Sequence, residues 1–140
     1  KMTLAVLEAT LPLFFNQAQA VRQIPTLRLL ARSRKEIGQQ ADRIVAALTE
    51  RRVAAKLSVI KGSSQMGSGS LPAQNLRTRL IVVVPKNMLP RELGRQLRRR
   101  CPPIFTRLKA ERVLIDPRTV LDTEEVALVD GLVDVLGREE

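Results

Sequence analysis

Ser64-Gln65-Met66-Gly67-Ser68-Gly69-Ser70-Leu71-Pro72 is the one place where the chain turns Gly/Ser-rich. It separates a helical N-terminal half from a C-terminal half that alternates between strand and helix rhythms. Glycines reach dihedrals closed to other residues, and a loop of this kind can cradle an anion, phosphate above all. The phosphate-loop pattern needs Lys-Ser/Thr after its last glycine, whereas Ser70-Leu71-Pro72 follows Gly69 here. A plain turn between two strands is the competing reading.

On the N-terminal side, Leu4, Leu7, Leu11 and Phe14 recur at helical spacing from about Thr3, with Pro12 set to kink or stop that helix. A short helix is predicted over Gln17 to Ile24, followed after Pro25 by an apolar knot of Leu27, Leu29 and Leu30. Ser33 and Glu36 form a capping-box pattern ahead of Ile37, Ala41, Ile44, Val45 and Leu48, which predicts a helix to about Arg51. Val53 to Ile60 then alternates with period two.

Beyond the Gly/Ser stretch, Leu80-Ile81-Val82-Val83-Val84 reads as a buried strand ended by Pro85. Pro90 opens a helix from Arg91 to Arg99, with Leu89, Leu93 and Leu97 on one side and Arg91, Arg95, Arg98 and Arg99 on the other. Ile104 to Leu108 and Arg112 to Asp116 flank Lys109-Ala110-Glu111 as a hairpin. Asp122 with Glu125 suggests a second capping box, before a helix whose apolar face is Val126, Val129, Val133 and Leu136. The implied α/β (α+β) architecture is a helical stretch over residues 1–51, then a small domain over residues 52–140, an antiparallel sheet with helices on one face.

Twenty-four Lys and Arg against fourteen Asp and Glu leave a net charge of +10, which points to polyanionic partners. No apolar run approaches the roughly 18 residues of a membrane span. Histidine is absent, so neither a Ser-His-Asp nor a Cys-His site can be built from these residues, and no metal site is expected. Cys101, the lone cysteine, fits a reducing cytoplasm and reads as an inert helix-end thiol without a histidine partner. The opening Lys1-Met2-Thr3-Leu4 is already in helical rhythm, as in an excised segment. With almost no aromatics to stack on bases, the free-standing basic RNA-binding module that charge alone would allow is the weaker alternative.

Five separated stretches resemble one family, the bacterial selenocysteine synthases, or L-seryl-tRNA(Sec) selenium transferases. They are Lys1-Met2-Thr3-Leu4-Ala5-Val6-Leu7-Glu8-Ala9-Thr10-Leu11, Ile24-Pro25-Thr26-Leu27-Arg28-Leu29-Leu30, the opening Ser64–Pro72 stretch, Pro102-Pro103-Ile104-Phe105-Thr106-Arg107-Leu108 and Arg112-Val113-Leu114-Ile115-Asp116-Pro117-Arg118-Thr119-Val120. Their order matches the family's. Pro12 and Arg77-Thr78-Arg79 depart from its pattern.

The resemblance implies the C-terminal part of a pyridoxal-phosphate enzyme of fold type I, in which selenophosphate converts seryl-tRNA(Sec) to selenocysteinyl-tRNA(Sec). The family's cofactor lysine has no counterpart here, so the segment alone is expected to hold no cofactor and to be inactive, with no catalytic residue of its own. Its implied partners are tRNA(Sec), selenophosphate, its own N-terminal and large domains and further copies of a cytoplasmic homo-oligomer. Gly67, Gly69, Ser70, Arg107 and Arg118 become candidate substrate or anion contacts; for Arg118 the choice lies between a selenophosphate or tRNA phosphate and a salt bridge to Asp116 or Asp122. Arg91, Arg95, Arg98 and Arg99 become candidate tRNA-phosphate contacts, with Arg77 and Arg79 adjoining. A related pyridoxal-phosphate enzyme acting on a free amino acid is a further alternative.

Overall fold

A valine-rich strand crossing the middle of a sheet needs cover on both faces, and the rest of the fold follows from how that cover is supplied. The computed structural model describes residues 1–64 and 76–138. The strand in question is β2 (Leu76–Pro85), flanked by β1 (Ala55–Ser64) and β4 (Arg112–Ile115), with β3 (Arg107–Lys109) at the far edge. The order is β1-β2-β4-β3 and every pairing is antiparallel.

Side chains alternate between the two faces along β2. Ile81 and Val83, with Val113 and Ile115 of β4, join the main core. That core is completed by Ala41, Ile44 and Leu48 of α4 (Arg34–Glu50), Leu93 and Leu97 of α5 (Pro90–Arg99), and Leu128, Val129, Leu132 and Leu136 of α6 (Glu125–Leu136). On the opposite face, Leu80, Val82 and Leu114 form a smaller cluster of their own, joined by Val84. The three helices therefore sit on one side of an antiparallel sheet, as the sequence implies.

Residues 1–33 form a separate compact unit, and residues 34–140 the other. The division falls ahead of α4 rather than after residue 51, because Ile37, Ala41, Ile44 and Leu48 are each fully buried in the second unit's interior. The first unit contains α1 (Met2–Thr10), a 3-10 turn over Leu11–Phe15 with Pro12 in its first turn, α2 (Gln17–Gln23) and α3 (Pro25–Ala31). Pro12 ends the regular helix as its missing N–H requires. The predicted apolar knot at Leu27 to Leu30 is helical, with Pro25 at its first position.

Several boundaries move for local reasons. β1 runs to Ser64, further than the alternation suggests, because β2 extends back to Leu76 and gives those residues partners. Val53 makes only an isolated bridge, to Arg138. β3 is shorter than predicted, starting at Arg107, since only Arg107 to Lys109 find partners on β4. Leu89 is exposed rather than part of the α5 apolar side, because it precedes the first helical residue. Val126 is likewise exposed. The predicted Asp122–Glu125 box is replaced by Glu124, whose carboxylate accepts the Leu121 N–H at 2.9 Å.

Two tight places yield predictions. A Cβ built on Gly62 would lie 2.5 and 2.8 Å from Leu80 Cδ1 and Cγ, so Leu80 occupies the volume a side chain would need. Gly62→Ala should cost about 1–3 kcal/mol in urea unfolding through this overpacking. The two-residue β3–β4 turn places Ala110 and Glu111 at φ 49° and 52°, a left-handed pair that suits Asn-Gly. Ala110→Asn with Glu111→Gly should raise stability by about 1 kcal/mol in the same measurement.

Candidate anion-binding site

At the end of the sheet where β1 finishes and β2 begins, the open face is polar. The reason is register: Gly62 pairs with Thr78 and Ser64 with Leu76, which puts Ser64 and Thr78 on the face away from the helices. Asp116, one residue beyond β4, follows Ile115 of the core face and so turns to the same side. Its carboxylate accepts the Ser64 hydroxyl at 2.6 Å, the Thr78 hydroxyl at 3.0 Å and the Arg118 N–H at 3.2 Å. The Arg107 guanidinium stands 3.5 Å away.

Arg118 lies in a 3-10 turn, Pro117–Thr119, just beyond the end of β4. Pro117 lacks the N–H that would continue the ladder, and the Asp116 side chain captures the next one. The Arg118 side chain is buried. Its Nε donates to Ser64 Oγ at 3.2 Å and its Nη2 to the Arg77 carbonyl at 2.9 Å. Ser64 closes β1 and Arg77 is the second residue of β2, so one guanidinium bonds both strands where they flank residues 65–75. Gly67, Gly69 and Ser70 lie outside the described residues.

Arg107 differs from Arg118 in exposure. Its Nη1 donates to the Ser63 carbonyl at 3.2 Å, yet its side chain keeps 40% of its surface open beside a nearly buried Asp116. It borders an open concavity of about 480 Å³ whose lining includes Ile60, Leu80, Leu114, Lys109 and Arg112. The structure thus joins the two predicted arginines through one carboxylate, buries Arg118 and leaves Arg107 facing solvent. Asp116, one of the two carboxylates offered as a partner for Arg118, takes its backbone N–H, while Ser64 and Thr78 are the partners that sequence reading missed. Their signal was weak, since small polar residues near strand ends are common.

The arginines of α5 are all exposed, but they are not equivalent. Arg95 is held by Glu92 at 2.7 Å, and that contact, helped by Gln96, lowers the Glu92 carboxyl below its ordinary range. Arg91 lies 4.0 Å from Glu111. Arg98 and Arg99 occupy the last turn, where cations complement the helix dipole. Arg77 contributes its carbonyl to Arg118, and Arg79 lies against Gly38 of α4.

Fold and site together define a basic α+β domain with arginines on the sheet's open face and along one helix. The sequence model of the L-seryl-tRNA selenium transferases matches residues 1–121. The chain is 36% identical over 138 residues to an L-seryl-tRNA(Sec) selenium transferase from Nitratidesulfovibrio vulgaris, covering 98% of this chain and 29% of the relative. A protein of the same name from Geobacter sulfurreducens is 37% identical over 134 residues, covering 94% and 29%. One from Desulfomicrobium baculatum is 36% identical over 139 residues, covering 99% and 30%. This chain belongs to the L-seryl-tRNA selenium transferase family, and it spans under a third of the length of these relatives.

Removing the Asp116 carboxylate would leave two hydroxyls without their acceptor and Arg107 without its counter-charge. Asp116→Ala should therefore cost about 2–4 kcal/mol in chemical denaturation, most of it from the two hydroxyls, because the Arg107 pair is half open to solvent. Ser64→Ala should cost only about 1–2 kcal/mol.

Proposed function

We propose that these 140 residues act as the C-terminal part of a transferase that converts seryl-tRNA(Sec) to selenocysteinyl-tRNA(Sec) with selenophosphate. The carrying observation is family agreement over nearly the whole chain, including both arginine-bearing motifs around Arg107 and Arg118. In this reading Arg118 braces the strand ends flanking Gly67, Gly69 and Ser70, which donate hydrogen bonds to an anion, and Arg107 offers its open side to a substrate anion. The α5 arginines, Arg98 and Arg99 foremost, contact tRNA phosphates.

Pyridoxal phosphate, the cofactor of this family, needs a lysine in an enclosed pocket for its covalent attachment. Lys1, Lys35, Lys56, Lys61, Lys86 and Lys109 are all exposed and none fits that requirement. The cofactor lysine then belongs to polypeptide outside these residues, and this segment, inactive by itself, carries no chemical step. Exposed Met2, Leu4, Val6, Leu7, Leu11, Phe14 and Phe15 support burial of the first unit against the remainder of a larger cytoplasmic protein, within a homo-oligomer. No described helix is long and apolar enough to cross a membrane.

The test is selenium transfer by the full-length protein that carries this segment. Turnover of seryl-tRNA(Sec) with selenophosphate, and none of free serine, is expected; turnover of free serine without tRNA would overturn the reading. Arg98→Gln with Arg99→Gln should also reduce the slope of log affinity for tRNA(Sec) against log salt by about two, one for each phosphate no longer neutralised. An unchanged slope removes α5 from the interface.

A further inference from the structure

The helix-covered side of the sheet carries a second concentration of charge, away from the motif arginines. Lys61 of β1 and Arg79 of β2 are directly paired in register, so their side chains emerge side by side on the same face. Here the apolar rows of that face have ended: Val59 and Ile81 precede the pair toward the core, and beyond it the sheet is polar. The first turns of α4 lie opposite. Gly38 is the contact point: a Cβ built there would meet Arg79 Cγ at 3.6 Å and Nε at 3.7 Å, so the arginine stem lies along a helix that presents no side chain to it. Arg34 and Lys35, one turn earlier, complete the ring.

The result is an open cleft of about 560 Å³ lined by Arg34, Lys35, Gly38, Gln39, Asp42, Lys61 and Arg79. Four cations face one carboxylate. None of the four makes an ion pair or side-chain hydrogen bond to another described residue, whereas Arg43, Arg51, Arg95, Arg100 and Arg107 all have carboxylate partners. Collecting like charges in a concavity without counterions is unfavourable unless an anionic partner supplies them, and a cleft focuses the resulting potential.

We propose that this α4–β1–β2 cleft binds the phosphate backbone of an RNA, with Lys61 and Arg79 as its central contacts and Arg34 and Lys35 at the rim. The proposal rests on the tRNA-directed function above and adds to it a second contact surface, distinct from α5. Its lining contains no apolar side chain, whereas a peripheral membrane site needs one to insert between lipids. Nor does it contain an aromatic platform, so the partner is read through its backbone and not by base stacking.

The test measures tRNA(Sec) binding by the full-length protein as a function of salt. Lys61→Gln with Arg79→Gln should reduce the slope of log affinity against log salt by about two. Asp42→Asn, which removes the carboxylate from the cleft lining, should strengthen binding. If the strand variant does not fold by circular dichroism, Arg34→Gln with Lys35→Gln on the exposed helix turn replaces it, with the same expected slope change. An unchanged slope in the folded variant overturns the proposal, as does loss of binding to phosphatidylserine vesicles with tRNA binding intact, which would assign the cleft to a lipid surface. A reduced slope in a protein that transfers no selenium supports the cleft while rejecting the transferase reading, so the two fail separately.

Discussion

The β1–β2 register is the constraint on which everything else turns. Pairing Lys61 with Arg79, and Gly62 with Thr78, decides which residues face the helices and which face away. A slip of one residue would send Ile81 and Val83 out of the core and exchange the polar surfaces of the two faces. The register is held at one end by burial of Ile81 and Val83 under α4, α5 and α6. At the other end it is held by hydrogen bonds, with Asp116 and Arg118 reaching Ser64, Thr78 and the Arg77 carbonyl. Apolar burial is non-directional and tolerates small displacements; the carboxylate–guanidinium cluster does not, because each donor has one acceptor direction.

Charge is distributed by the same register. An arginine count treats every guanidinium alike, yet their surroundings give them different work. Arg118 is enclosed and acts on its own chain. Arg95 and Arg91 are partly neutralised by Glu92 and Glu111, which reduces what they can offer a polyanion. Arg98, Arg99, Lys61 and Arg79 keep their charge available. Of the two motif arginines Arg118 builds the scaffold, while Arg107 and the less conspicuous cations on α5 and in the α4 cleft face outward.

Much of the architecture was legible because it rests on local rules. The period-3.6 pattern of Ile37, Ala41, Ile44 and Leu48 marks α4, and the Leu80–Val84 run marks the central strand. Pro12 stops α1, and Lys109-Ala110-Glu111 lies at the hairpin turn, as its flanking strands require. The misses share a cause. Leu89 and Val126 obey the helical period but fall at helix starts, where periodicity carries no information about cover. The Asp122–Glu125 pattern lost to Glu124 because capping depends on where the 3-10 turn hands over to α6, a matter of one residue.

The amino-acid sequence by itself determined the family, the helix and strand order, the positive charge and the absence of histidine chemistry. Each follows from residue identity or from spacing within a single element. Only the tertiary structure decided that Arg118 is a buried brace and Arg107 an open one, that Asp116 joins them, and that Lys61 and Arg79 meet Arg34 and Lys35 across α4. Those relations depend on strand register and on which face a helix covers. They link residues up to 54 positions apart, as for Arg118 and Ser64, through packing that no local pattern encodes.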